Sequence, residues 1–229
     1  MMNLFRSFLG LIFPDLCLCC NVSLAGNEKS ICTSCIYSLP KTFFHNDNDN
    51  PMEKIFRGRI PVESTAAFLY FHKGGRVQEL MHKLKYSGKQ QIGYYLGKLY
   101  GNELANSKNF SGIDLIVPVP MHPAKQRKRG YNQSEVIAKG IAESLNKPIN
   151  IKGLAKVEKT QTQTRKARFV RWENVETVFA VRDSSKFENK HILIVDDVLT
   201  TGATIESCCQ KLLEIKGVKI SVVTLAIAS

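Results

Sequence analysis

The chain has 229 residues, 44% of them hydrophobic and 23% charged, and a formal net charge of +12. No apolar run reaches the ~18 residues of a membrane-spanning helix, so a helical membrane span is excluded. The length fits one ordinary domain with a small accessory module, and the cationic excess suits either anionic partners or a solvated basic face.

The first segment, Met1–Phe13, has an uncharged core of only Ser7–Phe13 after Arg6, and no small-residue cleavage site follows it. That is short for a signal peptide. A short helix packed on the next module is expected, in a protein of the cytoplasm.

Of the seven cysteines, five lie between Cys17 and Cys35. In a reducing compartment such a cluster is more often a metal site than a disulfide framework. Cys17-Leu-Cys-Cys20 and Cys32-Thr-Ser-Cys35 are two C-x-x-C pairs. Each sets two thiolates on one turn, and together they complete a tetrahedral Zn²⁺ site. Cys19 competes for a place in it, and the spacing favours Cys17 and Cys20. Four protein ligands leave no open position, so the metal is expected to be structural. Residues 1–45 are thus expected to form a zinc module, and residues 46–61, which include the polar run His45–Pro51, a connection.

From residue 62 to 229 strand-like and helix-like segments alternate. Ser64–Phe71 is predicted as a strand, Val77–Tyr86 and Ile92–Leu104 as helices, and Ile113–Val117 as a short strand stopped by Pro118 and Pro120. A helix over Ser134–Leu145 puts Val136, Ile137, Ile141 and Leu145 on one face. His191–Val195 reads as a buried strand, Thr204–Ile215 as a helix and Lys219–Ile227 as a last strand. Continuous apolar strands alternating with helices predict an α/β fold with a mainly parallel sheet flanked by helices. Cys208 and Cys209, inside a helix, are expected in the core.

Chemistry concentrates after the His191–Val195 strand. Asp196 and Asp197 stand at its carboxyl end, where ligands bind in open α/β sheets. Thr200-Thr-Gly-Ala-Thr204 follows and opens a helix. Gly202 permits a tight turn close to a ligand. The free N–H groups of the helix start and the hydroxyls of Thr200, Thr201 and Thr204 offer a nest for a phosphate dianion. Two carboxylates beside that nest need partners of their own, and ribose hydroxyls with a hydrated Mg²⁺ meet the need. Helix capping accounts for one threonine and one aspartate but not for the whole string.

Two cationic segments complete the inventory. Pro118–Ser134 reads as a loop at the same sheet edge and supplies Lys125, Arg127, Lys128 and Arg129. Lys159–Asn174 has no apolar period and is long for a connection, which points to function or disorder. Arg165, Arg168 and Arg171 recur there every three residues.

The string Ile192–Thr204 resembles the thirteen-residue motif for 5-phosphoribosyl 1-diphosphate (PRPP) of type I phosphoribosyltransferases: four apolar residues, two acidic ones and a Thr/Ser-Gly-x-Thr loop. With the paired C-x-x-C, Leu84-Lys-Tyr86, Pro118-Val-Pro120, Arg129-Gly-Tyr-Asn-Gln133, and Gln163, Arg168, Arg171, Asn174 and Phe179, the order resembles the ComF (ComFC-type) family. The family's usual apolar residue three positions after Gln163 is Lys166 here. The resemblance implies a zinc module joined to a type I phosphoribosyltransferase-like domain that takes PRPP with Mg²⁺. Asp196 and Asp197, the candidate catalytic pair, would hold the ribose and Thr200–Thr204 the 5-phosphate. By their position Lys125, Arg127 and Arg129 are candidates to neutralise a diphosphate, and Arg168 and Arg171 are further phosphate-binding candidates. It further implies a role in natural transformation: handling incoming single-stranded DNA in the cytosol, with a DNA-uptake helicase or other competence proteins as partners. The alternative is an active phosphoribosyltransferase with an unidentified base or nucleotide as acceptor.

Overall fold

A computed structural model describes residues 14–158 and 177–228. The expected helix at Met1–Phe13 and the run Lys159–Asn174, with Arg165, Arg168 and Arg171, lie outside the described residues. Among the described residues no helix is long and apolar enough to cross a membrane.

The centre is a four-stranded parallel sheet of β1 (Ser64–Phe71), β2 (Leu115–Pro118), β5 (His191–Leu199) and β6 (Lys219–Ala228), in the order β1-β6-β5-β2. Ile192–Val195 and Ile220–Ile227 are buried without alternation, the mark of strands covered on both faces. A second, antiparallel pair, β3 (Leu154–Glu158) with β4 (Thr177–Val181), brackets the Arg-rich segment. The sequence reading had no strand here, because five-residue strands beside a polar run carry little period.

Helices α3 (Arg76–Tyr86), α4 (Gln90–Ala105), α6 (Gln133–Leu145) and α7 (Ala203–Leu213) lie within two residues of their predicted limits. The tightest helix pair is α4 with α6. A Cβ on Gly140 would lie 2.2 Å from the Tyr94 carbonyl oxygen, and one on Gly97 2.3 Å from that of Ile137. Only glycine permits so close a crossing. It fixes α6, whose first residues reach the sheet edge.

The connection is more ordered than its polarity suggests. Asn50 caps α2 (Pro51–Phe56), accepting from the N–H groups of Met52 at 2.9 Å and Glu53 at 3.1 Å. Proline at the first helical position suits that start, and Met52 and Phe56 are fully buried. Lys41 pairs with Glu103 of α4 at 2.7 Å. The cysteine-rich segment, with its short helix α1 (Thr33–Tyr37), is thereby tied to the sheet domain.

Two further departures concern the sheet edge. Strand β5 continues past Val195 to Leu199, because β6 keeps pairing with it, Asp196 opposite Thr224 and Val198 opposite Ala226. Its other neighbour, β2, ends at Pro118, opposite Val195. Proline has no N–H to extend a ladder, so Asp196 and Asp197 lie on a strand with one flank open. Pro118–Ser134 is also not simply a loop. Pro123–Arg129 forms helix α5, with the His122 ring Nδ1 accepting from Ala124 N–H at 3.2 Å and Gly130 N–H closing on Gln126 at 2.7 Å.

Candidate functional site

The open flank of β5 becomes a cleft of about 220 Å³ whose lining includes Asp196, Asp197, Thr204, Lys85, Lys125 and Arg129. Ser134, at the start of α6, donates to Asp196 Oδ1 at 2.8 Å. Lys85, in the last turn of α3, places Nζ 2.8 Å from Asp197 Oδ2. Burial and the Asp197 charge push the Asp196 carboxyl up to about 7, against the pull of the Ser134 hydroxyl and Lys85. A carboxyl so shifted beside a second carboxylate is an arrangement that can accept a cation or hydroxyl donors.

Thr200–Thr204 curls beside Asp196 around a small pocket of about 40 Å³. Gly202, the N-cap of α7, has φ +80°, a left-handed conformation that side chains resist. A Cβ there would also meet Phe56 Cε1 at 3.0 Å. The loop is braced from the connection: Arg59 Nη1 donates to the Thr201 carbonyl at 3.2 Å and its Nη2 pairs with Glu206 of α7.

The Arg129–Gln133 turn locks three elements together. Arg129 donates to Gln133 Oε1 at 3.0 Å, and its guanidinium lies 5.4 Å over the Tyr86 ring. The Tyr131 hydroxyl donates to the Leu84 carbonyl. Asn132 caps α6 and donates to the Val119 carbonyl at 2.9 Å.

The helical form of α5 sorts its cations. Lys125, Lys128 and Arg129 recur at helical spacing and line a second cleft of about 440 Å³, with Lys85, Tyr86 and Gly88. Arg127, about 200° round the helix from Lys125, is exposed and lines neither cleft. Residues the motif reading missed are Lys85, Ser134, Asn132 and Lys156, all lining the 220 Å³ cleft. Lys85 stood in a recognised triplet, yet nothing local to α3 says that its last turn faces the end of β5.

In the cysteine segment the sulfurs of Cys17, Cys20, Cys32 and Cys35 all lie within 4.8 Å of one another. The Cys20 and Cys32 sulfurs are 3.8 Å apart. A Zn–S bond of about 2.3 Å sets tetrahedral sulfurs about 3.8 Å apart, whereas a disulfide would need about 2 Å. Burial raises the Cys17 thiol, but the backbone N–H groups of Cys32, Cys20 and Cys19 bring it down to about 6. Burial and its neighbouring thiols push Cys35 up. Four sulfurs at this spacing are a donor set that a cation would draw together, so the cluster is compatible with a structural metal. Cys19, buried beside it, is not one of the four. Cys208 and Cys209 are fully buried in the core.

The phosphoribosyl transferase domain family matches residues 132–228, which span the Asn132 turn, α6 and the whole Asp196–Thr204 segment. The DNA utilization protein YhgH of Salmonella typhi is 30% identical over 214 residues, covering 89% of this chain and 92% of that protein. Competence protein F of Haemophilus influenzae is 30% identical over 145 residues, covering 61% of this chain and 62% of its own. Competence protein ComFC of Bacillus subtilis is 28% identical over 100 residues, covering 44% of this chain and 38% of its own. With a cysteine cluster ahead of a parallel sheet of the type I phosphoribosyltransferase kind, this chain belongs to the ComF family.

Proposed function

We propose that the protein binds PRPP, or a closely related ribose 5-phosphate ligand, in the cleft at the end of β5. The observation that carries this is the convergence of Asp196, Asp197, Thr204, Lys125 and Arg129 on one 220 Å³ space. The 5-phosphate sits on the amides and hydroxyls of Thr200–Thr204, and the ribose hydroxyls on the acidic pair. Asp196 and Asp197 would hold a Mg²⁺ ion there, which would supply positive charge to offset that of the ligand's phosphates. Zn²⁺ on Cys17, Cys20, Cys32 and Cys35 holds the N-terminal module together. Calorimetric titration with PRPP and Mg²⁺ tests the reading. Wild-type protein should bind, and the Asp196→Asn/Asp197→Asn double variant should not; equal binding by both overturns it.

We infer further that the protein serves DNA uptake by handling incoming single-stranded DNA in the cytosol. Supporting this are the names of its relatives, the net charge of +12 and the exposed cations Lys125 and Lys128 beside an exposed Tyr86, a pairing that suits single strands. Fluorescence anisotropy with a labelled single-stranded oligonucleotide should show affinity falling steeply with salt. No binding at low salt sinks the idea. A second reading, an active phosphoribosyltransferase, is favoured by the intact acidic pair beside a cationic cleft suited to a leaving diphosphate. Its mark would be diphosphate released from PRPP in the presence of a base or nucleotide acceptor.

A further inference from the structure

Lys85 belongs to neither of the loops from which the ligand was expected to be held, yet it stands between their two clefts. Its Nζ lies 2.8 Å from Asp197 Oδ2, the carboxylate assigned to the ribose. The same side chain lines the 440 Å³ cleft with Lys125, Lys128 and Arg129. Among the described residues four cations and no carboxylate line that cleft, an imbalance that calls for a polyanion rather than a neutral ligand.

The backbone beneath Lys85 is held by its neighbours. Leu84 is fully buried and its carbonyl accepts from Tyr131, and the Tyr86 ring lies under the Arg129 guanidinium. A lysine carries a point charge on a flexible four-carbon stem and can change partners without any movement of its helix. Lys85 balances the charge of Asp197. Ribose hydroxyls and a divalent cation arriving at the acidic pair make that service redundant.

We propose that Lys85 is an exchangeable counter-ion: it neutralises Asp197 in the free protein and transfers to the diphosphate when a phosphoribosyl diphosphate enters. The proposal rests on the PRPP reading and assigns to α3 a ligand contact that neither the acidic motif nor the α5 cations supply. It makes Lys85 a sensor of the diphosphate, silent toward ligands that lack one.

The test is titration of the full-length protein and its Lys85→Met and Lys85→Arg variants with two probes, PRPP–Mg²⁺ and ribose 5-phosphate. In Lys85→Met, affinity for PRPP should fall roughly tenfold or more, the value of one lost charged hydrogen bond. Ribose 5-phosphate should bind that variant as well as wild type or more tightly, because Asp197 no longer has to be released. Lys85→Arg should keep most of the PRPP affinity. Equal losses for both probes would make Lys85 a structural partner of Asp197 and overturn the proposal, as would no loss for either. Wild-type protein that binds neither probe would overturn the PRPP reading itself, a different failure from wild-type binding with an indifferent Lys85.

Discussion

Arg59, in the connection between the cysteine-rich segment and the sheet, donates to the carbonyl of Thr201 in the Thr200–Thr204 loop at 3.2 Å. The loop is thus held by a residue 142 positions away in sequence. The contact anchors the turn at the Thr201 carbonyl.

From this contact, Arg59→Ala should weaken binding of ribose 5-phosphate by roughly 3- to 10-fold, less than the full value of a charged hydrogen bond because Arg59 supports the loop and does not touch the ligand. Isothermal titration would read it. Arg59→Lys, which restores charge without the planar fork, should recover only part of the loss.

Gly202→Ala should do more damage. The new Cβ meets both a φ of +80° and the Phe56 ring at 3.0 Å, so a stability loss of about 1–3 kcal/mol is expected from backbone strain. Urea denaturation should register it. The variant should also lose ribose 5-phosphate binding, since the turn carries the amides.

Asp196 predicts a pH dependence with a definite sign. Its carboxyl is pushed up to about 7 by burial and by Asp197, while the unfolded value is near 3.9. Between those values the folded state holds the extra proton, so this group's contribution to stability is present below about pH 4 and lost as pH rises through 7. Asp196→Asn should therefore raise the thermal midpoint at pH 8, by about 2–4 °C per kcal/mol gained in a chain of this size. The ionised form is the one a divalent cation needs, so wild-type affinity for PRPP–Mg²⁺ should increase from pH 6 to 8.

The cysteine cluster predicts one zinc per chain, counted by elemental analysis. Cys19→Ser should keep the metal, and Cys20→Ser or Cys32→Ser should lose it. Stripping zinc with a strong chelator should melt the N-terminal module, since so small a unit buries too little apolar surface to fold alone.

Helix α5 makes a paired prediction. Arg129→Ala removes a residue that lines the cleft, packs on Tyr86 and bonds to Gln133. It should weaken PRPP binding about tenfold or more, whereas Arg127→Ala, exposed on the other side, should change it less than twofold. Equal losses would show that general charge, not placement, matters.

By itself the sequence determined the parallel sheet, its principal helices, the four-cysteine set and the Thr200–Thr204 turn into a helix. Each of these is local. A strand buried on both faces is a continuous apolar run, a metal knuckle is a C-x-x-C pair, and a phosphate nest is a glycine turn entering a helix. Tertiary structure alone decided which distant residues meet there. Lys85 reaches Asp197, and Arg59 reaches Thr201, across chain separations that no periodicity encodes. The helical turn of Pro123–Arg129 separated Arg129 from Arg127, which a reading of charge had treated as equivalent. The physical reason is the same throughout. Hydrophobic period and turn chemistry act over a few residues, whereas the cleft exists only where Pro118 ends β2, β5 runs on beside β6, and α3, α5 and α6 are packed around the gap.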